Sequence, residues 1–200
     1  HHRNPPGRFP PVKPLPVQPA YQLAASWAGP RWLIEGLWAD QAVGIVGGEP
    51  KSCKSFLALD MAVAVASGSP CLRHFPVAQT GRVLLYAAED APLVVRQRLE
   101  GICSLSQLHL PQLDIQVITA PSLRLDHSDD QRRLRDTVEE LRPKLLLLDP
   151  FVRLHHIDEN LSSEVAAILG YLRSLQRLFK LAVTVVHHAK KAAHHIREGR

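Results

Sequence analysis

Cysteine is scarce in this sequence of 200 residues, and no two of its three cysteines form a C-x-x-C pair. Cys53, Cys71 and Cys103 lie in different contexts, which excludes a disulfide framework. The adjacent histidine pairs, 155–156 and 194–195, have no cysteine or acid at the spacing of a zinc site. Because the chain is long enough to bury a core without cross-links, we expect one folded domain in the reducing cytoplasm.

A long uninterrupted apolar run is also missing. The most apolar stretch with helical spacing, residues 56–66, carries Asp60 and is too short to span a bilayer. No charged start followed by an apolar region appears near the N-terminus. Both absences predict a soluble protein without a membrane partner. The net charge of +5 and the pI near 9.4 permit a polyanionic partner but do not demand one.

Proline is dense near the start of the chain. Residues 1–30 contain the run NPPGRFPPVKPLPVQP, which cannot build a core and predicts an extended arm or linker. Residues 31–200 then form the folded domain, which starts with an apolar cluster that includes Trp32 and Trp38. We expect these two tryptophans to fill the core rather than to stack on bases.

Predicted strands and helices alternate over the rest of the domain. Leucine occupies 145–148 without interruption, as in a strand buried on both faces of a parallel sheet. The fold class is therefore α/β, a doubly wound and mostly parallel sheet flanked by helices, with ligands beyond the carboxyl ends of its strands. The predicted strands are 41–46, 81–88, 113–118, 145–148 and 181–186, and the predicted helices are 56–66, 92–102, 128–141 and 162–180.

The segment GEPKSCKS, residues 48–55, has the spacing of a phosphate-binding loop between a strand and a helix. In the pattern G-x-x-x-x-G-K-[ST], backbone N–H groups surround the phosphates, the lysine neutralises the outer ones and the hydroxyl holds Mg²⁺. Lys54 and Ser55 supply these two side chains, so Ser55 is a candidate metal ligand. The predicted nucleotide-binding residues are Gly48, Glu49, Pro50, Lys51, Ser52, Cys53, Lys54 and Ser55.

Cys53 stands where the pattern has its second glycine. We expect a cysteine here to adopt an ordinary helical φ and to tuck its side chain away, while its N–H can still donate to a phosphate. On that interpretation the loop retains nucleotide binding. The alternative is a degenerate loop that binds nothing.

Acidic residues follow two of the predicted strands. Asp149 closes the leucine strand and has the position of a Walker B carboxylate that orients Mg²⁺; a cap of the next turn is the alternative. Many P-loop ATPases carry a glutamate at the next position, but here it is Pro150, so the base must come from elsewhere. Glu89, at the end of the strand expected beside the leucine strand, is the first candidate and Asp90 the second. The alternative is that this acidic pair only starts the following helix.

Two histidines, His187 and His188, end the last predicted strand. A polar side chain there can contact the γ-phosphate or its attacking water and transmit hydrolysis to the next loop, which predicts a sensor. A surface histidine pair is the alternative.

From residue 32 to residue 191 these motifs resemble the RecA-like ATPases, and among them the RepA-type group of AAA family ATPases from plasmids, phages and mobile elements. The matching segments are GEPKSCKS at 48–55, YAAED at 86–90, LLDP at 147–150 and VHHAK at 186–190. The resemblance implies ATP and Mg²⁺ as ligands of a RecA-like core that spans 31–200 and continues past it with an Arg-Gly-Ser-Ser-like segment. The roles that it implies are nucleotide and Mg²⁺ ligands for Lys54 and Ser55, catalytic base for Glu89, Walker B acid and metal ligand for Asp149, and sensor for His188 or His187.

The same resemblance implies a homo-oligomeric ring, with a hexamer as the reference, in which a neighbouring subunit supplies an arginine finger. The DNA-contacting loops of such rings correspond to 151–161 and to the basic segment 189–200, and we expect single-stranded DNA to bind there. For the second segment, a basic terminus without function is the alternative.

Together these features predict a motor domain that binds and hydrolyses ATP, as a DNA helicase or translocase in replication or mobile-element maintenance. One alternative is a slow or inactive ATP-dependent switch that recruits replication proteins, which Cys53 and the missing finger segment favour. Another is a small-molecule phosphotransferase, which is disfavoured because no lid or acceptor pocket is readable.

Overall fold

The computed structural model describes residues 16–22, 31–157 and 162–188. The predictions for most of the arm 1–30, for the end of the candidate DNA loop 151–161 and for all of the candidate DNA loop 189–200 lie outside the described residues. Residues 16–22 are exposed and contain a short 3-10 turn, Ala20–Gln22. Within the described ranges, the helices lack the combination of length and apolarity that crossing a bilayer requires.

The described strands form a hairpin and a main sheet. The hairpin pairs β1 and β2 in antiparallel fashion, and the main sheet consists of five parallel strands in the order β3-β7-β6-β4-β5. The bounds are β1 Trp32–Ile34, β2 Trp38–Ala39, β3 Val43–Gly48, β4 Val83–Ala87, β5 Ile115–Val117, β6 Leu145–Asp149 and β7 Ala182–His188.

Four α-helices cover the two faces of the main sheet in the described residues. The first two pack on one face and the last two on the other, each pair forming a separate apolar cluster with the strands. The helices are α1 Lys54–Ser67, α2 Pro92–Leu105, α3 Ser128–Leu141 and α4 Ser162–Phe179. The predicted α/β class and doubly wound parallel sheet are therefore confirmed, and the arrangement is that of a RecA-like P-loop NTPase.

The strand order decides which loops meet. β7 lies between β3, which precedes the P-loop, and β6, which ends at Asp149. β4 pairs with β6 along its length, from Val83 opposite Leu145 to Ala87 opposite Asp149. The predicted adjacency of these two strands is confirmed. The segments that contain the candidate site residues follow β3, β4, β6 and β7, and they all leave the same edge of the sheet.

Most predicted boundaries hold to within a few residues, and β3 shows why some shift. It was predicted at 41–46 but runs to Gly48, because Gly47 and Gly48 continue the parallel pairing opposite His187 and His188 of β7. Two glycines would end a strand by composition alone, yet a central neighbour can extend the pairing through them. The phosphate-binding loop therefore starts directly from the sheet.

The leucine run of β6 is buried on both faces, as predicted. Side chains of a strand alternate between faces, so Leu145 and Leu147 pack on the side of α1 and α2, and Leu146 and Leu148 pack on the side of α3 and α4. All four are fully buried. Fixing β6 in the middle of the core fixes the position of Asp149 at its end.

The hairpin closes one end of the sheet. Trp38 packs against the core as predicted, and Trp32 is half-buried. The indole of Trp38 lies directly over Gly44 of β3, where a Cβ atom would come within 2.6 Å of Cη2. A glycine at position 44 is therefore required for this tryptophan to cover the strand.

An ion pair fastens the hairpin to the sheet. Asp40 Oδ1 lies 2.9 Å from Lys144 Nζ just before β6, and the Asp40 side chain is only 1% exposed. Burial alone would raise the pKa of Asp40, but hydrogen bonds from Lys144 and Gln79 outweigh it and leave that pKa below its usual value. The folded state therefore stabilises the charged carboxylate.

Candidate functional site

The candidate site is a cleft of about 190 Å³ at the carboxyl edge of the sheet. It combines the start of α1, the loop after β4, the end of β6 and the end of β7. Five of the candidate residues line it together: Ser55, Glu89, Asp90, Asp149 and His188. The same cleft is also lined by Ala87, Arg98 and Pro150.

Lys54 is the first residue of α1 and is buried beneath the loop that precedes it. Its ammonium donates to the Glu49 carbonyl at 2.5 Å and to Ser52 Oγ at 3.1 Å. Ser52 Oγ donates in turn to the same Glu49 carbonyl at 2.7 Å. The loop thus holds the lysine with its own oxygen atoms, which a phosphate oxygen can replace.

A steric constraint explains the glycine at position 48, the first glycine of the motif. A Cβ atom at this position would lie 3.2 Å from Ser52 Oγ and 3.6 Å from Lys54 Cδ. The contact with Ser52 Oγ would be tight, so a side chain here would push against the hydroxyl that shapes the inside of the loop, while the contact with Lys54 would be ordinary. The absence of a Cβ keeps the loop closed around Lys54.

The expectation for Cys53 is wrong. Its φ and ψ are 60° and 21°, in the left-handed region, and its side chain is exposed rather than tucked away. Lys51 also has a positive φ, of 65°. The loop has to reverse before α1 begins, and Cys53 still caps the helix through its carbonyl, which accepts from Leu57 N–H at 3.0 Å. A left-handed conformation costs an ordinary residue about 1–2 kcal/mol, so the loop keeps the shape that glycine would favour at the expense of strain.

Asp149 is nearly buried at the end of β6, and its peptide bond to Pro150 is cis. Burial raises the pKa of Asp149; a hydrogen bond with the Ser55 hydroxyl and the nearby His188 oppose the rise, while the charges of Asp90 and Glu89 add to it. A buried carboxylate with other acids around it favours a cation.

The oxygen atoms at this point fit Mg²⁺. Ser55 and Asp149 lie close enough to hydrogen-bond, and a hydroxyl with a carboxylate is the kind of donor set that Mg²⁺ takes together with phosphate oxygens and water. In the described part of the chain, no group of three or more histidine, cysteine or acidic residues is arranged to hold a metal. A cation bound by Ser55 and Asp149 would complete its coordination with phosphate oxygens and water.

Both candidate bases are held by arginines that the sequence did not single out. Glu89 Oε1 lies 3.0 Å from Arg153 Nε, in the 3-10 turn Phe151–Arg153 after β6. Asp90 forms an ion pair with Arg98 of α2. Neither acid lies in the first turn of α2, which contains no acidic residue. Asp90 directly precedes the N-cap residue, Ala91, and pairs with Arg98 of the same helix, so a structural role of the pair at the start of α2 stays the alternative.

Arg98 lies inside the cleft as well. Its guanidinium stands 5.3 Å from the centre of the Phe56 ring, the residue that follows Ser55 in α1. The signal in the sequence is weak: an arginine on the second turn of a helix whose first turn faces the predicted site. The ion pair of Asp90 with Arg98 is less exposed than that of Glu89 with Arg153, so Glu89 is the acid that is released more readily.

The two histidines at the end of β7 have different surroundings. His188 lines the cleft, and its Nδ1 is buried without a hydrogen-bond partner among the described residues. His187 points elsewhere, with its ring edge-on to Phe151 at a centroid distance of 6.0 Å. Strand alternation separates the pair, and of the two predicted sensors it is His188 that lines the cleft.

Comparison with known families agrees with this geometry. A protein-family model described as an AAA domain matches residues 8–194, nearly the whole chain.

Proposed function

This chain belongs to the AAA domain family, a P-loop ATPase family, and we propose that it binds ATP with Mg²⁺ and hydrolyses it as a motor domain. One observation carries the proposal: the Ser55 hydroxyl meets the Asp149 carboxylate in a cleft that also contains Glu89 and His188. The P-loop and its lysine lie directly beside that contact.

Binding begins with the P-loop. Backbone N–H groups of the loop and the start of α1 face the phosphates, since the N-terminus of a helix attracts anions. Lys54 exchanges its bonds to Glu49 and Ser52 for bonds to phosphate oxygens. Ser55 and Asp149 would hold Mg²⁺, which when bound neutralises charge that develops on the phosphate oxygens.

Hydrolysis needs a group that takes up a proton from the attacking water. Glu89 lines the cleft and serves as that base once it is free of Arg153, with Asp90 second because Arg98 holds it. His188 contacts the γ-phosphate or its water and reports hydrolysis through β7. Losing such a positioned base costs on the order of 10² to 10⁴ in rate.

We further propose a ring-forming DNA helicase or translocase that acts in replication or mobile-element maintenance. The family resemblance of the motifs supports it, as does the position of the segment after β6, which leaves the same edge of the sheet as the ATP cleft. A neighbouring subunit would supply an arginine finger, and single-stranded DNA would contact 151–161 and 189–200.

A slower ATP-dependent switch that recruits replication proteins is the second candidate. The ion pair between Glu89 and Arg153 favours it, because an arginine that stabilises the carboxylate makes it a weaker base toward water. On this alternative ATP binding, rather than its turnover, changes the protein's interactions.

The deciding experiment measures phosphate release by the wild-type chain with and without single-stranded DNA, with Lys54→Ala as the control for contaminating activity. Release that DNA stimulates and that Lys54→Ala loses supports the motor. ATP binding without release supports the switch. Absence of ATP binding in the wild-type chain would overturn both.

A further inference from the structure

A second cavity, of about 260 Å³, opens beside the ATP cleft at the same edge of the sheet. It is lined by Tyr86 and Ala88 at the end of β4, by the loop before α3 and by the turn after β6. No acidic side chain is among its lining residues within the described part of the chain. The polar lining residues are Tyr86, Ser122, Arg124, Arg153, His155 and His156.

The walls of this basic cavity, as we call it, are fixed to each other. Leu125 N–H donates to the Leu154 carbonyl at 2.6 Å, and His156 N–H donates to Asp126 Oδ2 at 3.0 Å. The Arg124 guanidinium lies 2.5 Å from His156 Nε2. Since a guanidinium only donates, Nε2 of His156 accepts. The cavity is therefore preformed and does not need a ligand to assemble it.

Arg124 has donor capacity left over. Its Nη1 contacts one acceptor, His156 Nε2, and its Nη2 contacts Asp126 at a long 3.5 Å, so each of these nitrogens keeps a second N–H group. Asp130 accepts from the backbone N–H of Arg124 and from Arg133, so its charge is engaged behind the loop. An arginine with unused N–H groups, next to a second arginine and to His156, whose Nδ1 carries the ring proton when its Nε2 accepts, is suited to a tetrahedral oxyanion.

Arg153 connects this cavity with the ATP cleft. It lines the basic cavity, while its Nε is paired with Glu89, which lines the cleft. Both partners are substantially exposed, with 61% and 43% of their side-chain surfaces accessible. Exposed ion pairs of this kind contribute little to stability, so a competing anion can displace one partner.

We propose that the basic cavity binds a phosphate group, and that this group draws Arg153 away from Glu89 and so frees the base. The coupling step rests on the proposed function of Glu89, whereas the binding step does not. The phosphate belongs either to the backbone of a single-stranded polynucleotide or to free inorganic phosphate, both of which present the same tetrahedral oxyanion.

Binding is tested in the Lys54→Ala background, which removes the ammonium of the P-loop so that phosphate held there contributes least. A fluorescein-labelled single-stranded oligothymidylate is titrated by anisotropy, and inorganic phosphate by calorimetry. The variants are Arg124→Ala and Ser122→Glu, which places a negative charge in the cavity without removing an arginine. Arg132→Ala, on the exposed surface of α3, is the matched control.

The proposal expects both cavity variants to weaken binding by about tenfold or more, the scale of a lost charge-assisted hydrogen bond, while the control binds as the parent does. Loss for the oligothymidylate assigns the site to a polynucleotide backbone, and loss for phosphate alone assigns it to the free anion. Cavity variants that bind both ligands like Arg132→Ala would overturn it. If Arg124→Ala does not fold, Ser122→Glu tests the proposal by itself.

Coupling is tested with Arg153→Gln in the otherwise wild-type chain. Basal phosphate release should rise severalfold and should no longer respond to the ligand identified above. A basal rate and a ligand response equal to the wild type, in an enzyme that Glu89→Gln inactivates, would overturn the coupling. If Glu89→Gln instead turns over normally, it is the proposed base that fails, and the binding titrations still decide the cavity.

Discussion

Ser55, in the first turn of α1, and Asp149, the last residue of β6, line the same cleft, and the Ser55 hydroxyl opposes the rise that burial causes in the pKa of Asp149. Ser55 follows the P-loop lysine. Asp149 is a buried carboxylate at the end of β6, which lies two positions from β3 in the sheet. Burial disfavours the charge of Asp149, so this arrangement costs stability unless a cation or a hydrogen-bond donor compensates it. The interaction therefore joins the two segments from which we propose the nucleotide site.

We predict that Lys54→Ala and Glu89→Gln separate binding from chemistry. The first removes the charge that faces the outer phosphates and should abolish ATP binding or turnover. The second keeps the shape of the cleft and should bind ATP while losing on the order of 10² to 10⁴ in rate. A fluorescent ATP analogue measures binding and phosphate release measures turnover. Wild-type turnover in Glu89→Gln would transfer the role of base to Asp90 or to a chain of waters.

Cys53 gives a prediction that the structure sharpens. Because its φ is 60°, Cys53→Gly should relieve strain of about 1–2 kcal/mol, partly offset by the greater freedom of glycine in the unfolded chain. ATP affinity should hold or rise. Cys53→Val, with a branched Cβ in the same conformation, should be less stable than the parent. Denaturant unfolding and nucleotide titration of the two variants test this, and much weaker binding by Cys53→Gly would mean that the thiol itself shapes the loop.

The strands and helices could be predicted from the sequence more readily than the contacts between loops. The bounds of α3 were predicted without error, because its apolar stripe starts after a loop and Pro143 follows its end. The extension of β3 through Gly48 depends on its neighbour in space, which composition does not encode. The left-handed φ of Cys53 depends on how the loop closes. The residue type alone predicts an ordinary negative φ, because a side chain disfavours the left-handed region.

The arginines of the site were missed for a similar reason. Arg153 and Arg98 meet Glu89 and Asp90 only because separate loops leave the same edge of the sheet. An ion pair between distant segments has no periodicity or spacing from which it could be predicted. The motifs, by contrast, were readable because their chemistry lies in consecutive residues next to a strand or helix.

The ion pair between Asp40 and Lys144 predicts a pH-dependent stability. Because the folded state lowers the pKa of Asp40, its contribution is present above about pH 4 and is lost as the pH falls further. Asp40→Asn should cost about 2–3 kcal/mol at neutral pH, below the range for a wholly buried pair because Lys144 is 20% exposed.

Guanidinium unfolding at neutral and at acidic pH measures the free energy of unfolding of Asp40→Asn and of the wild type. The difference between these two free energies should become smaller in acid. Asp114→Asn, which breaks the more exposed pair with Arg82, serves as the control and should cost about 1 kcal/mol or less. A difference for Asp40→Asn that stays constant with pH would mean that packing, and not charge, fastens the hairpin.

Gly44 tests how the hairpin closes the sheet. Gly44→Ala places a Cβ within 2.6 Å of the Trp38 ring, so the indole must move and the variant should lose about 1–3 kcal/mol. Gly101→Ala, in α2 with nothing within 4 Å of the added atom, should gain about 0.5–1 kcal/mol from helix propensity. Thermal unfolding of both, with tryptophan fluorescence, reports the movement. A Gly44→Ala variant as stable as the wild type would contradict the packing of Trp38 on β3.

The two histidines at the end of β7 give the last prediction. His188 lines the cleft with an unpartnered Nδ1 among the described residues, while the ring of His187 stands against Phe151. If His188 donates to the γ-phosphate or its water as charge develops, His188→Ala should lower kcat by about 10²-fold or more, as the loss of one transition-state donor does, and leave ATP affinity nearly unchanged.

His187→Ala, its neighbour with the same backbone conformation, should instead reduce stability through the lost contact with Phe151 and keep most of kcat. Steady-state phosphate release gives kcat, and equilibrium binding of a fluorescent ATP analogue gives the affinity. His188→Gln, which retains an N–H donor, should recover part of the lost rate, and a purely structural role for His188 predicts no such recovery. Equal losses of kcat in His187→Ala and His188→Ala would show that the strand end acts as a unit, and the assignment of the sensor to His188 would be wrong.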